Sequence, residues 1–173
     1  DVNRYRASKQ ADVVMLFYVL SADELRDLLG RAGYRFEPAA IPRTIDYYLA
    51  RTSHGSTLSA VVHSWVLARG HRDEAVEYFE RVLVSDITDI QGGTTREGIH
   101  LAAMAGSIDL LQRCFTGLET RGDHLILNPQ WPESLGALEF PMRYRGHNLQ
   151  VSVHGRKVEV TAGPGDHRPI EVM

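Results

Sequence analysis

The feature that most constrains this chain is a change of period near Gly117–Gly122. Upstream, apolar residues recur every three to four positions, as in helices that bury one face. Downstream they alternate with polar residues, as in strands with one wet face. Such a chain is expected to be α+β, a helical part followed by a small antiparallel, β-sandwich-like sheet domain. The break assigns residues 1–118 to the first part and 119–173 to the second.

Six helices are expected. The first runs over residues 9–19, with Val13, Leu16 and Phe17 on its apolar face. Ser21 and Glu24 have capping-box spacing for a second helix over 22–32, which carries Leu25, Leu28 and Leu29. Pro42 suits the first turn of a third, ending near Ala50. A fourth spans 56–69 through Leu58, Val61, Val62, Trp65 and Val66. A fifth spans 72–84 through Val76, Phe79 and Leu83, and a sixth spans roughly 97–116, with Gly106-Ser107 as the point of a break. The sheet is expected to begin near His124. Leu149, Val151 and Val153 alternate with Gln150, Ser152 and His154. Hairpin turns are expected at Tyr144–Asn148, at His154–Arg156 and at Pro164–Asp166. Fewer than sixty residues of meander cannot easily bury a core alone, so this part needs cover from elsewhere.

Composition excludes more than it selects. A net charge of -3 gives no electrostatic argument for nucleic acid or an anionic membrane. One cysteine, Cys114, rules out an internal disulfide framework, and its apolar helical setting reads as a buried thiol. No apolar run is long enough to span a membrane, and no basic segment leads into an apolar one, so a cytoplasmic location is expected. The first residue is Asp1, and the chain reads as a piece of something longer.

Two polar helix starts carry the chemistry. Gly92-Gly93-Thr94-Thr95-Arg96-Glu97-Gly98-Ile99-His100 reads as a backbone nest opening into a helix, with His100 just inside it. Paired glycines expose N–H groups, and a helix start favours an anion. The same residues also suit a plain Gly-Gly turn with threonine caps. The second start is Thr52-Ser53-His54-Gly55-Ser56-Thr57-Leu58-Ser59. Capping needs one hydroxyl, so the surplus implies a polar ligand or a buried network. Lys9-Gln10 can bond vicinal sugar hydroxyls or form a solvated turn. Asp46-Tyr47-Tyr48 can face a sugar or the core. Asp86, Asp89 and Gln91 are acid–base candidates or helix-end polar residues. His63 reads as a core histidine, and no metal spacing is seen.

In combination, these segments resemble a known family. Lys9-Gln10-Ala11-Asp12-Val13, Ile45-Asp46-Tyr47-Tyr48, Thr52–Ser59, Asp89–Leu101 and Met104-Ala105-Gly106 occur in order. Together they closely resemble the C-terminal part of glycoside hydrolase family 65, the inverting trehalose, maltose and kojibiose phosphorylases and related hydrolases. The resemblance implies that residues 1–118 are the last helices of an alpha/alpha six-fold barrel, and that the rest is the family's small C-terminal β domain. It places Lys9 and Gln10 in the subsite for the transferred glucosyl unit. It places Ser56, Thr57, Gly92, Gly93, Thr94 and His100 around the attacking phosphate.

The implied partners are therefore a disaccharide substrate, phosphate as co-substrate with no other cofactor, and the missing N-terminal part of the same polypeptide. Apolar helix faces left without that part imply either self-association or loose packing there. This chain has Ala102 where family members commonly have Gly after His-Leu. The family's general acid is a glutamate in an upstream Asp-Glu-Tyr segment, and no matching segment occurs here, so the chain alone is expected to be inactive. Inversion needs an acid on one face and a nucleophile on the other. In a hydrolase a carboxylate must activate water, and Glu97 is the candidate base for that role. Its other reading is an acidic residue in a first helical turn. The alternative to an enzyme segment is a non-catalytic scaffold or sugar-binding unit.

Overall fold

The computed structural model describes residues 5–53, 55–90, 92–93 and 95–173. It divides into two compact units, Asp1–Ser107 and Ile108–Met173.

In the first unit, the helices are α1 Met15–Val19, α2 Ala22–Arg31, α3 Ala40–Leu49, α4 Thr57–Leu67 and α5 Arg72–Val84. A sixth, α6 Leu101–Asp109, begins in this unit. The capping box is present on α2: Glu24 N–H donates to Ser21 Oγ, and Ser21 N–H donates to Glu24 Oε2. Helix α4 is buried on nearly all sides, with Val61, Val62, His63 and Ser64 inaccessible. It needs polar partners for its polar side chains. Ser64 Oγ donates to the Ala75 carbonyl of α5 at 2.8 Å. His63 Nδ1 donates to the Ser59 carbonyl at 2.8 Å, and its ring stacks on Tyr78. Burial raises the Tyr78 hydroxyl above its ordinary pKa. His63 is thus a core histidine.

Two helices depart from expectation. The first is five residues long rather than eleven. Residues 8 and 9 are drawn into pairing with the segment before α4 instead: Ser8 bridges Thr52 in parallel, and Gly55 N–H donates to the Lys9 carbonyl. The buried residues there are Ala11 and Val14, whereas Val13 and Leu16 are exposed. The last helix starts at Leu101, after a 3-10 turn over Thr95–Glu97, and passes into a π-helical turn over Leu110–Cys114. It does not break at Gly106, which is a packing site. A Cβ on Gly106 would lie 2.7 Å from Val61 Cγ1, so α6 approaches α4 there closely enough to exclude a side chain.

The second unit carries two three-stranded sheets. Strands β3 Ala137–Tyr144, β4 His147–His154 and β5 Lys157–Ala162 form an antiparallel meander. The β3–β4 turn is Arg145-Gly146, both at positive φ, which suits the twist of a two-residue hairpin. Pro141 is tolerated because β3 is an edge strand. Leu149, Val151 and Val153 of the central strand are buried.

The other sheet begins at Glu119, earlier than expected. It pairs β1 Glu119–Arg121 antiparallel with β2 His124–Ile126, and β2 parallel with β6 Glu171–Val172. The expected last hairpin at Pro164–Asp166 is therefore not formed. The chain leaves β5 and returns to the open edge of β2, where Met173 N–H donates to the Leu125 carbonyl. Tyr144 Oη and Arg145 Nε both donate to the Gly122 carbonyl and tie the sheets together.

Candidate anion and sugar site

The residues singled out from the sequence fall into two local groups, both in the first unit. The first surrounds the start of α4. Ser8 N–H donates to the Arg51 carbonyl, Ser53 N–H to the Ser8 carbonyl and Gly55 N–H to the Lys9 carbonyl. Ser53 Oγ also donates to the Lys9 carbonyl, and Ala11 N–H donates to Ser59 Oγ at 3.1 Å. These bonds hold Lys9 against the approach to α4. Its side chain lies across Gly55, where an added Cβ would meet Lys9 Cγ at 3.1 Å. Gln10 follows, half-buried, with its side-chain amide on Asp12.

Ser56 is the N-cap of α4 by backbone conformation, yet its hydroxyl makes no capping hydrogen bond. Thr57, next to it, is buried. One residue of this group, His54, lies outside the described residues.

The second group is the glycine-rich loop between α5 and α6. Gly92, Gly93 and Gly98 all have positive φ, a conformation that glycine adopts without steric cost. Within the loop, its amides meet a carboxylate. Gly93 N–H donates to both oxygens of Asp89 at 2.8 Å, and the Thr95 amide and hydroxyl donate to Asp89 Oδ1. Asp89 itself has φ 49°. Thr94 and Gln91 lie outside the described residues. Glu97 is exposed, in the 3-10 turn rather than the first turn of α6.

His100 is not inside α6 but caps it, its carbonyl accepting from the Ala103 and Met104 amides. Its ring Nδ1 donates to Asp86 Oδ1 and its backbone N–H to Asp86 Oδ2. The His100 ring bond, more than any other contact, holds the Asp86 carboxyl below the ordinary carboxylate pKa.

Helix α6 crosses α4 at Gly106 and Val61. At 1.5 Å of rise per residue, His100 is about 9 Å along α6 from that contact, and Ser56 about 7 Å along α4. Both polar helix starts are within two turns of a shared crossing.

Asp86 and Asp89, acid–base candidates or helix-end polar residues by sequence, instead accept hydrogen bonds from His100 and from the Gly93 and Thr95 amides, and those pairings were not foreseen. Asp89 carries a readable signal, since an Asp three residues before Gly-Gly is suited to bonding forward backbone amides. Asp86 carries none, because its partner is fourteen residues away.

Comparison with known proteins matches residues 1–109 to the glycosyl hydrolase family 65 central catalytic domain and residues 118–173 to that family's C-terminal domain. An uncharacterized glycosyl hydrolase of Mycobacterium tuberculosis is 68% identical over 99% of this chain, which spans 13% of that protein. A trehalose 6-phosphate phosphorylase of Lactococcus lactis is 34% identical over 92% of the chain, which covers 21% of it. An alpha,alpha-trehalose phosphorylase of Geobacillus stearothermophilus is 31% identical over 98% of the chain, which covers 20% of it. The solved structure of a putative kojibiose phosphorylase from the human microbiome superposes with TM-score 0.70 at 27% identity, over 95% of this chain and 21% of that one. The chain thus spans 13–21% of the length of these relatives.

Proposed function

The chain belongs to glycosyl hydrolase family 65, and from that premise we propose that it is the segment of an inverting α-glucoside phosphorylase that supplies the phosphate subsite and part of the glucosyl subsite. Residues 1–118 are then the last helices of the catalytic barrel, and 119–173 the C-terminal β domain. The substrates are trehalose, or its 6-phosphate, and inorganic phosphate, in the cytoplasm. The names of the Lactococcus and Geobacillus relatives support that choice.

One observation carries the reading. Lys9 is held against Gly55, immediately before the α4 start at Ser56 and Thr57. In phosphorolysis the phosphate must sit beside the sugar's anomeric carbon, so a sugar-binding residue and an anion-favouring helix start must adjoin. Here they do. The phosphate is held by Ser56, Thr57, His100 and the Gly92-Gly93-Thr94 segment, where it takes the Gly93 amide from the Asp89 carboxylate. A phosphate oxygen attacks C1, the C1–O glycosidic bond breaks, and an acid on the opposite face protonates the departing oxygen. The products are β-glucose 1-phosphate and the free acceptor sugar. The acid lies on another part of the polypeptide. The exposed apolar residues of the first unit, Leu16, Val19, Ile87, Ile99 and Leu101 among them, are the faces that part covers.

The test is glucose 1-phosphate release by the full-length enzyme from trehalose, maltose or trehalose 6-phosphate, with and without phosphate. Release that requires phosphate supports the reading. Glucose formed at the same rate without phosphate assigns a hydrolase, with Glu97 as its candidate base.

A further inference from the structure

We propose that Asp86 is a positioning residue for the anion site, holding His100 by its backbone N–H and ring Nδ1 so that Nε2 is the atom presented to phosphate. The inference rests on the proposal that His100 contacts phosphate.

The geometry is a two-point clasp. One carboxylate accepts from the His100 backbone at 3.0 Å with Oδ2, and from the His100 ring with Oδ1. The first bond fixes where α6 begins and the second fixes the rotation of the imidazole. Asp86 follows the C-terminus of α5, where the helix dipole disfavours an acid, and it faces the N-terminus of α6, where the dipole favours one. Its placement is explained by what it holds rather than by the helix it follows. The pair also closes the base of the excursion from 87 to 99, whose interior is organised by Asp89. The Asp86 side chain is 13% exposed and that of His100 is 25%, so the clasp is shielded while part of the imidazole reaches the surface.

The chemistry follows from which nitrogen is occupied. A carboxylate only accepts, so Nδ1 carries a proton in either charge state of the ring. With the ring neutral, Nε2 is an acceptor that meets the O–H of monohydrogen phosphate. With the ring protonated, Nε2–H donates to a phosphate oxygen. Without the carboxylate the ring can rotate or change tautomer, and neither pairing is set in place.

The experiment is initial-rate kinetics of the full-length enzyme with trehalose and inorganic phosphate, for Asp86→Asn, His100→Ala and the double variant. Asp86→Asn is expected to raise the phosphate KM about tenfold or more, with the trehalose KM within about twofold of wild type. In the His100→Ala background the same change is expected to add nothing to the phosphate KM, because the group it positions is gone. An unchanged phosphate KM in Asp86→Asn, or an effect that adds fully to that of His100→Ala, overturns the inference and leaves the His100 contact standing. An unchanged phosphate KM in His100→Ala overturns both.

Should Asp86→Asn fail to fold, His100→Gln decides, because it reaches the Nε2 position and lacks the Nδ1 bond. A phosphate KM in His100→Gln raised about as far as in His100→Ala supports the inference, since the group at the Nε2 position is no longer held, and a wild-type phosphate KM in His100→Gln overturns it.

Discussion

Gly106→Ala should destabilise the protein although alanine is the better helix former. Gly106 lies in α6, and a Cβ there would sit 2.7 Å from Val61 Cγ1 and 2.9 Å from Cγ2. Real Cβ atoms do not approach so closely, so a helix or a side chain must move. Val61 is wholly buried and has little room to yield. Overpacking of this kind costs about 1–3 kcal/mol. The change from Gly to Ala inside a helix returns about 1 kcal/mol. The net is a loss of about 1 kcal/mol, or roughly 2–4 °C in Tm for a chain of this size.

Denaturant unfolding of four proteins checks the mechanism: wild type, Gly106→Ala, Val61→Ala and the double variant. Val61→Ala alone should cost about 2 kcal/mol for the lost methyl groups and the cavity. In the Gly106→Ala background it should cost roughly 1 kcal/mol less, because it removes the clash. A rise in Tm on Gly106→Ala, or equal costs of Val61→Ala in both backgrounds, would refute the close crossing of α4 and α6.

Other outcomes follow from single contacts. Gly117→Ala should cost more than Gly106→Ala, since Gly117 has φ 64° and a Cβ would meet the Asn128 carbonyl oxygen at 2.1 Å; the same unfolding assay ranks the two. The Asp86 carboxyl has a folded pKa below its unfolded value of about 4. Its contribution to stability is therefore fully present above about pH 4 and is lost as pH falls through the lower folded value. The stability difference between wild type and Asp86→Asn should shrink below about pH 4, and a difference that is flat down to acid unfolding counts against the clasp. The isolated chain should self-associate through the exposed apolar faces of its helices and should show no turnover of trehalose or maltose. Light scattering reporting a monomer that binds no apolar dye, or saturable cleavage, would contradict those two expectations respectively.

How much was legible in the sequence depended on how local the interaction is. The capping box at Ser21 and Glu24 is three residues wide and reads directly. So do α4 and α5, whose apolar spacing is strong, and the Arg145-Gly146 turn, whose glycine suits positive φ. Most of the failures are non-local. Lys9-Gln10 sits before an apolar run and reads as a helix start, but the backbone at residues 8 and 9 is claimed by a segment more than forty residues later. Strand β6 is two residues long and says nothing of its partner, so its crossover to β2 is invisible in advance. The glycine loop was legible as a tight turn of positive-φ glycines, but not as one whose amides meet Asp89. His100 was legible as a polar residue at the start of the last helix, but its pairing with Asp86 was not.

The most direct test of the central claim is proton NMR of the first product formed when the full-length enzyme acts on trehalose in phosphate buffer. The expected result is an anomeric signal of β-glucose 1-phosphate, appearing at a rate that saturates with phosphate and falls in His100→Ala. Free glucose released equally fast without phosphate, or the α-anomer of the sugar phosphate, would contradict it.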